Sequence, residues 1–203
     1  MKYLTVAIVV ILSLFFYSTH SAKNSLDYNT NIHVQVKGLS SNWIYLHNVH
    51  ENVKSKIDSA FMDDQGNAYF KRQDSLAPGF YTLILPDSSV IEMLVDQDQE
   101  FTLATTYPNL IEGMQVEGSI ENEVLYTSLK YDVGMGEQFQ AEIQQLQASG
   151  SQEINQEAVN QIRQNLFAGK EAQLAQLYQQ YPNTLFTKYQ MAQEPPKALL
   201  NQI

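Results

Sequence analysis

The sequence predicts an α+β chain built by segment: an antiparallel β-sandwich or open barrel of about seven to eight short strands, then a helical hairpin. Three observations predict it. Between residues 31 and 116 apolar and polar residues alternate over short runs, with turn residues returning about every ten positions. No helical pattern of about 10–15 residues interrupts those runs, which argues against a parallel α/β sheet. After Gly118-Ser119 the apolar spacing changes from two to three and four, the period of a helix.

The chain opens on Met1-Lys2, a short basic start, followed by the uncharged run from Tyr3 to Tyr17. That run has the length of a secretory h-region and falls short of the roughly 20 residues that cross a bilayer. Small residues follow, and cleavage after Ser21 places Thr19 two positions before the cut. Cleavage after Ala22 would place the bulkier His20 there. The expectation is a signal peptide over residues 1–21 and export to the periplasm or cell envelope, with no integral span once it is removed. The alternative is an inner-membrane anchor formed by residues 3–17. No cysteine lies nearby, so lipid attachment through one is excluded.

The β segment, residues 22–118, divides into strands by its punctuation. Ile32, Val34 and Val36 alternate with His33, Gln35 and Lys37, the signature of a half-buried strand. A turn cluster at Gly38 to Asn42 leads into Trp43 to Leu46. Ile57 to Met62 and Ala68 to Lys71 form a hairpin around Asp63-Asp64-Gln65-Gly66-Asn67. Phe80 to Leu85 and Val90 to Val95 flank Pro86-Asp87-Ser88-Ser89. Glu100 to Thr105 follows a turn at Asp96 to Gln99, and a last short strand lies near Met114 to Val116.

The helical segment, residues 119–203, starts at Ser119, an N-cap residue, with Glu121 and Glu123 suited to the positive end of the helix dipole. Leu125, Leu129, Phe139, Ile143 and Leu146 share one face, and Gly134 and Gly136 are expected to break or kink the helix. Ser151 can cap the second helix. Its stripe runs through Ile154, Ala158, Ile162, Leu166, Lys170, Leu174, Leu177 and Tyr181, and Lys170 can lay its stem along that stripe. Pro182 ends it. Leu185, Phe186 and Tyr189 begin a third apolar run, closed by Pro195-Pro196. The short connection between the two long helices makes them an antiparallel pair.

Composition excludes several functions. Twelve Lys and Arg against 22 Asp and Glu give a net charge of −10. That argues against nucleic acid and against anionic membrane surfaces, both of which need clustered basic residues. The chain has no cysteine, which removes disulfides, thiolate chemistry and Cys-ligated metal centres.

Candidate sites are few. His47-Asn48-Val49-His50-Glu51 has a His-x-x-His spacing, which gathers two imidazoles on one metal when it lies on a helix. Here it reads as loop histidines after a strand. Asp63 to Asn67 has the oxygen-rich look of a calcium loop, but Asp and Asn beside Gly are what a tight turn requires; Asp96-Gln97-Asp98 reads the same way. Glu121 and Glu123 are explained by the helix start. Gly134-Met135-Gly136 lacks a third glycine and follows no strand. No nucleophile elbow, P-loop or dinucleotide fingerprint is present. The reading is therefore of no catalytic residue, no cofactor and no metal. Trp43, Tyr45, Tyr69, Phe70, Phe80 and Tyr81 lie on neighbouring strands. Most belong to a core, while Trp43, Tyr45 and Tyr81 are the candidates for a peptide or glycan platform.

A running pattern carries a resemblance. It comprises Val36-Lys37-Gly38, Trp43-Ile44-Tyr45-Leu46, Ile57-Asp58-Ser59-Ala60 and Asp64-Gln65-Gly66-Asn67-Ala68-Tyr69-Phe70, then Pro78-Gly79-Phe80-Tyr81-Thr82-Leu83 and Val116-Glu117-Gly118-Ser119. Over roughly residues 31 to 135 the chain resembles the N-terminal domain of unknown function that begins many exported thioredoxin-like proteins of the TlpA/ResA type, thiol–disulfide oxidoreductases of Gram-negative bacteria. The resemblance implies a thioredoxin-fold domain or protein as partner, or self-association. It transfers no catalytic residue, because the Cys-x-x-Cys pair and its domain are absent from this chain. Apolar Leu199, Leu200 and Ile203 follow Pro195-Pro196 with no further domain to bury them, so truncation or a missing partner is expected. The functional expectation is a non-catalytic exported accessory module for positioning, dimerisation or substrate contact. The alternative is a stand-alone envelope module that binds glycan or peptide.

Overall fold

The structure, a computed structural model, describes residues 29–50, 53–148 and 156–193. The expected signal, Glu51, the Ser151 cap, Ile154 and the tail from Glu194 lie outside them. Eight strands fall where alternation and turns put them: β1 (Thr30–Lys37), β2 (Asn42–His50), β3 (Val53–Met62), β4 (Asn67–Arg72), β5 (Gly79–Ile84), β6 (Val90–Val95), β7 (Glu100–Thr106) and β8 (Gln115–Glu117). They form two four-stranded sheets, ordered β4-β1-β7-β8 and β3-β2-β5-β6. The architecture is thus a sandwich followed by helices. Pairing is antiparallel except between β1 and β7, which run parallel with Ile32 opposite Phe101 and Val34 opposite Leu103.

The alternation of β1 fixes its faces: Ile32, Val34 and Val36 have no exposed surface, while Lys37 lies in solvent. Phe70 of β4 and Leu103 of β7 join them from the first sheet, and Ile44, Leu46, Leu83 and Met93 face them from the second. Full burial of such a side chain contributes about 1.5–3 kcal/mol, so this interior is what holds the domain together. At one edge the Arg72 guanidinium ties the sheets, reaching Asp58 of β3 at 3.3 Å and Asp74 at 2.7 Å.

Three helices follow: α1 (Ile120–Ala148), α2 (Gln156–Gln180) and α3 (Leu185–Gln193). Ser119 caps α1 as its sequence predicts, its hydroxyl accepting from the Asn122 amide at 3.3 Å. The first turns of α1 close the sandwich between its two open edges, β6 and β8. The Asn122 side chain imitates a ninth strand: it accepts the Leu94 N–H at 2.9 Å and donates to the Leu94 carbonyl at 2.8 Å. The Tyr126 hydroxyl donates to the Glu92 carbonyl at 2.8 Å, and the Lys130 ammonium donates to the Met114 carbonyl at 2.6 Å. Edge groups that would otherwise invite another strand are thereby occupied.

The expected break at Gly134 and Gly136 is absent: α1 runs through both as one 29-residue helix. Glycine keeps its N–H, and its cost of about 1 kcal/mol relative to alanine is too small to end a helix supported on both sides. α2 pairs with α1 as an antiparallel hairpin. Lys170 interrupts the apolar stripe only in composition: its ammonium reaches the Ser128 hydroxyl at 2.8 Å and the Asp132 carboxylate at 2.6 Å, tying the helices together. α3 lies against the outer face of the second sheet, where Tyr189 meets Phe80 at 4.4 Å between ring centroids. No helix among the described residues is long and apolar enough to cross a membrane.

Candidate functional site

The outer face of the second sheet carries the aromatic side chains that strand alternation sends outward. Trp43 of β2 stands opposite Phe61 of β3, the rings edge to face at 5.7 Å. They are 48% and 55% exposed, a large apolar pair open to solvent. Tyr45, two residues along, is half-buried, and the Lys56 ammonium lies 4.3 Å from its ring centroid. His47 continues the line and pairs in register with Thr82 of β5. From Trp43 to His47 this strip is about 13 Å long at the rise of a strand. At its inner end His47 Nδ1 and Thr82 Oγ1 are buried with no hydrogen-bond partner, each at a cost of about 1–3 kcal/mol unless something else satisfies it.

Tyr81 does not belong to this face. It is 1% exposed and its hydroxyl donates to the Ala77 carbonyl at 2.6 Å, while burial pushes the phenol's pKa up. The candidate platform therefore keeps Trp43 and Tyr45, loses Tyr81 to the core, and gains Phe61. Only Phe61's place opposite Trp43 distinguishes it, and that is a matter of register.

The other motifs resolve into structure. The His-x-x-His segment is part of β2 rather than a loop, so the helical geometry that gives this spacing its convergence is absent. In the turn of residues 63–67, Asp63 Oδ1 accepts the amides of Gln65 at 2.9 Å and Asn67 at 2.8 Å. The Asn67 amide above all holds the Asp63 carboxyl below its ordinary range. Those lone pairs close a tight turn and are not free for a cation; the expected hairpin is not formed, because the turn carries the chain from β3 in one sheet to β4 in the other and the two strands do not pair. Gly66 sits at φ +84°, where a Cβ would stand 2.2 Å from the Val36 carbonyl oxygen. Among the described residues no cluster of three metal-ligating side chains occurs.

A cleft of about 580 Å³ lies between the β6–β7 turn and the α2–α3 connection, lined by Asp96, Asp98, Glu121 and Lys188 among others. Two of its carboxylates are engaged. Asp98 accepts the Ile120 amide at 3.1 Å. Glu121, buried, accepts the amides of Leu185 at 2.8 Å and Phe186 at 3.0 Å. Glu121 thus caps α3, a helix 64 residues away, beyond serving the start of its own. On the first sheet's outer face His33 stacks on Tyr69 at 4.5 Å with 8° between planes, and Asn67 Oδ1 holds the side chains of His33 at 3.1 Å and Gln35 at 3.0 Å. This group binds itself together.

No protein-family model matches the chain, and no curated protein does. Among solved structures, a crystal structure of (S)-allantoin synthase is similar over 38% of this chain and 39% of that chain, with 10% identity and a TM-score of 0.30. A likeness at that score carries no assignment. The match spans about two fifths of that protein's length.

Proposed function

We propose that the chain is a non-catalytic exported module, an accessory domain whose sandwich offers a contact face for unfolded or thiol-bearing protein substrates. Its helices would position that face beside a thioredoxin-fold partner. The exposed Trp43–Phe61 pair supports this reading: two large rings left open beside a fully packed core are a contact surface, and polypeptide offers them apolar side chains. Localisation in the periplasm or cell envelope rests on the N-terminal sequence.

A second reading has an observation of its own. The Trp43 ring lies 48% exposed on a strand face, and a flat open ring suits stacking on the apolar face of a sugar. The chain has a single tryptophan, so its emission reports this face alone. The experiment is a titration followed at Trp43, with reduced unfolded polypeptide and with envelope glycans, beside an insulin-reduction assay. A shift with polypeptide and no insulin turnover supports the accessory reading. A shift with glycan alone supports the second. Unchanged emission with both contradicts both, and insulin turnover by the purified chain contradicts a non-catalytic role.

A further inference from the structure

Glycine weakens a helix interior, so each helical glycine asks for a reason. Gly169 of α2 has one inside the chain: a Cβ there would stand 2.6 Å from the Tyr131 hydroxyl of α1, so its absence lets the helices close. Gly134 and Gly136 of α1 have none, because a Cβ at either meets nothing within 4 Å. Gly136 lines an apolar groove of about 250 Å³ between α1 and α2, walled by Met135, Phe139 and Leu166, with Asp132 and Arg163 at its rim. Phe167 borders the same groove and is 56% exposed, standing beside the slot rather than filling it. An aromatic knob and an open slot therefore lie side by side on one face.

We propose that this face of the hairpin docks on a second copy of the chain, the Phe167 ring of each copy entering the groove over Gly136 of the other. A knob and its slot on the same patch are what a two-fold contact requires, since one operation satisfies both. Charge favours the same occupant. The chain carries −10, yet the groove's rim holds one acid and one base, Asp132 tied to Lys170 and Arg163 lying 6.0 Å from the Phe139 ring. The one acid and one base in the groove's lining balance, so the point where the ring enters carries no net charge.

The size of the face sets the strength. Beyond Asp132 the hairpin extends about 22 Å, and two helices are about 20 Å wide, so a pair of copies covers on the order of 900 Å² in total. That is below the roughly 1,200–2,000 Å² of stable complexes and describes a reversible dimer. The inference goes beyond the proposed function and rests on it only in taking the chain as a scaffold. Its test reads association, not emission or turnover, so either can fail alone.

The experiment is sedimentation velocity of the purified chain from about 1 to about 100 µM, with melting curves at the low end. The expected result is a monomer that becomes a dimer across that range. Phe167→Glu should weaken the dimer at least about tenfold and leave the melting temperature unchanged, since the ring is exposed. Gly136→Gln fills the slot and improves the helix, so it should raise the melting temperature while weakening the dimer about tenfold. Opposite movements of stability and association are what a merely structural glycine would not produce. Because the chain has no cysteine, Gly136→Cys copies mixed with Phe167→Cys copies should oxidise to the mixed disulfide. A wild-type chain that sediments as a monomer throughout, or variants that associate as the wild type does, would overturn the proposal and leave the groove to a different partner.

Discussion

The sandwich and the helical hairpin bury their apolar residues to different depths. Strand after strand of the sandwich carries side chains with no exposed surface, from Ile32 and Val34 to Leu83 and Met93. In α2 only Leu177 is buried, where the helix returns to the sandwich, while Ile162 and Leu166 are half-covered and Phe167 is open. The difference follows from geometry. Two sheets enclose a layer between them, whereas two helices meet along one seam and leave the flanks of their stripes in solvent. One region completes itself; the other presents a surface.

That contrast can be tested by substitution. Phe70→Ala in the sandwich should cost about 3–5 kcal/mol through the cavity it leaves, read as a shift in denaturant midpoint, while Phe167→Ala in the hairpin at low concentration should stay within about 0.5 kcal/mol. Asn122→Ala should cost about 2–4 kcal/mol, because it strips partners from both the N–H and the carbonyl of buried Leu94. A small effect there would mean that α1 is not what closes the β6 edge.

Glycines sharpen the comparison by sign. Gly66→Ala should destabilise by about 2 kcal/mol or more, given its positive φ and the Val36 carbonyl in the way, whereas Gly136→Ala should stabilise by up to about 1 kcal/mol. The smallest effect is in pH. The carboxyls of Asp63 and Asp87 are lowered from 3.8 in the folded state, held by the Asn67 amide and the Ser89 hydroxyl. Their stabilisation is therefore complete above the unfolded value and is lost as pH falls through the lower folded one. Asp63→Asn should flatten the drop in melting temperature between about pH 5 and about pH 2.5, and the exposure of these groups keeps the change to a few degrees.

How much of this was legible in the sequence depends on how far each interaction reaches. Alternation in β1 and punctuation at Asp63 to Asn67 are local, and they located the strands. The parallel pairing of β1 with β7 joins segments about 70 residues apart and has no local mark. Tyr81 was misplaced because β5 is covered on both faces: Tyr81, Thr82 and Leu83 are all buried, so the run Phe80 to Leu85 has no alternation from which to assign a phase. Glu121 was explained by its own helix, and its bond to α3 is a tertiary fact. Gly134 and Gly136 read as breakers because sequence shows the missing side chain and not the space around it.

The sandwich buries its core within one chain, whereas the hairpin, under the proposal above, gains its cover from a second copy. Native-state hydrogen exchange on the purified chain at about 1 and about 100 µM tests it most directly. The amides of β1, β2, β5 and β7 should be equally protected at both concentrations, while those of residues 134–148 and 156–169 should gain protection at the higher one. Protection of the hairpin that matches the sandwich at both concentrations would contradict the claim.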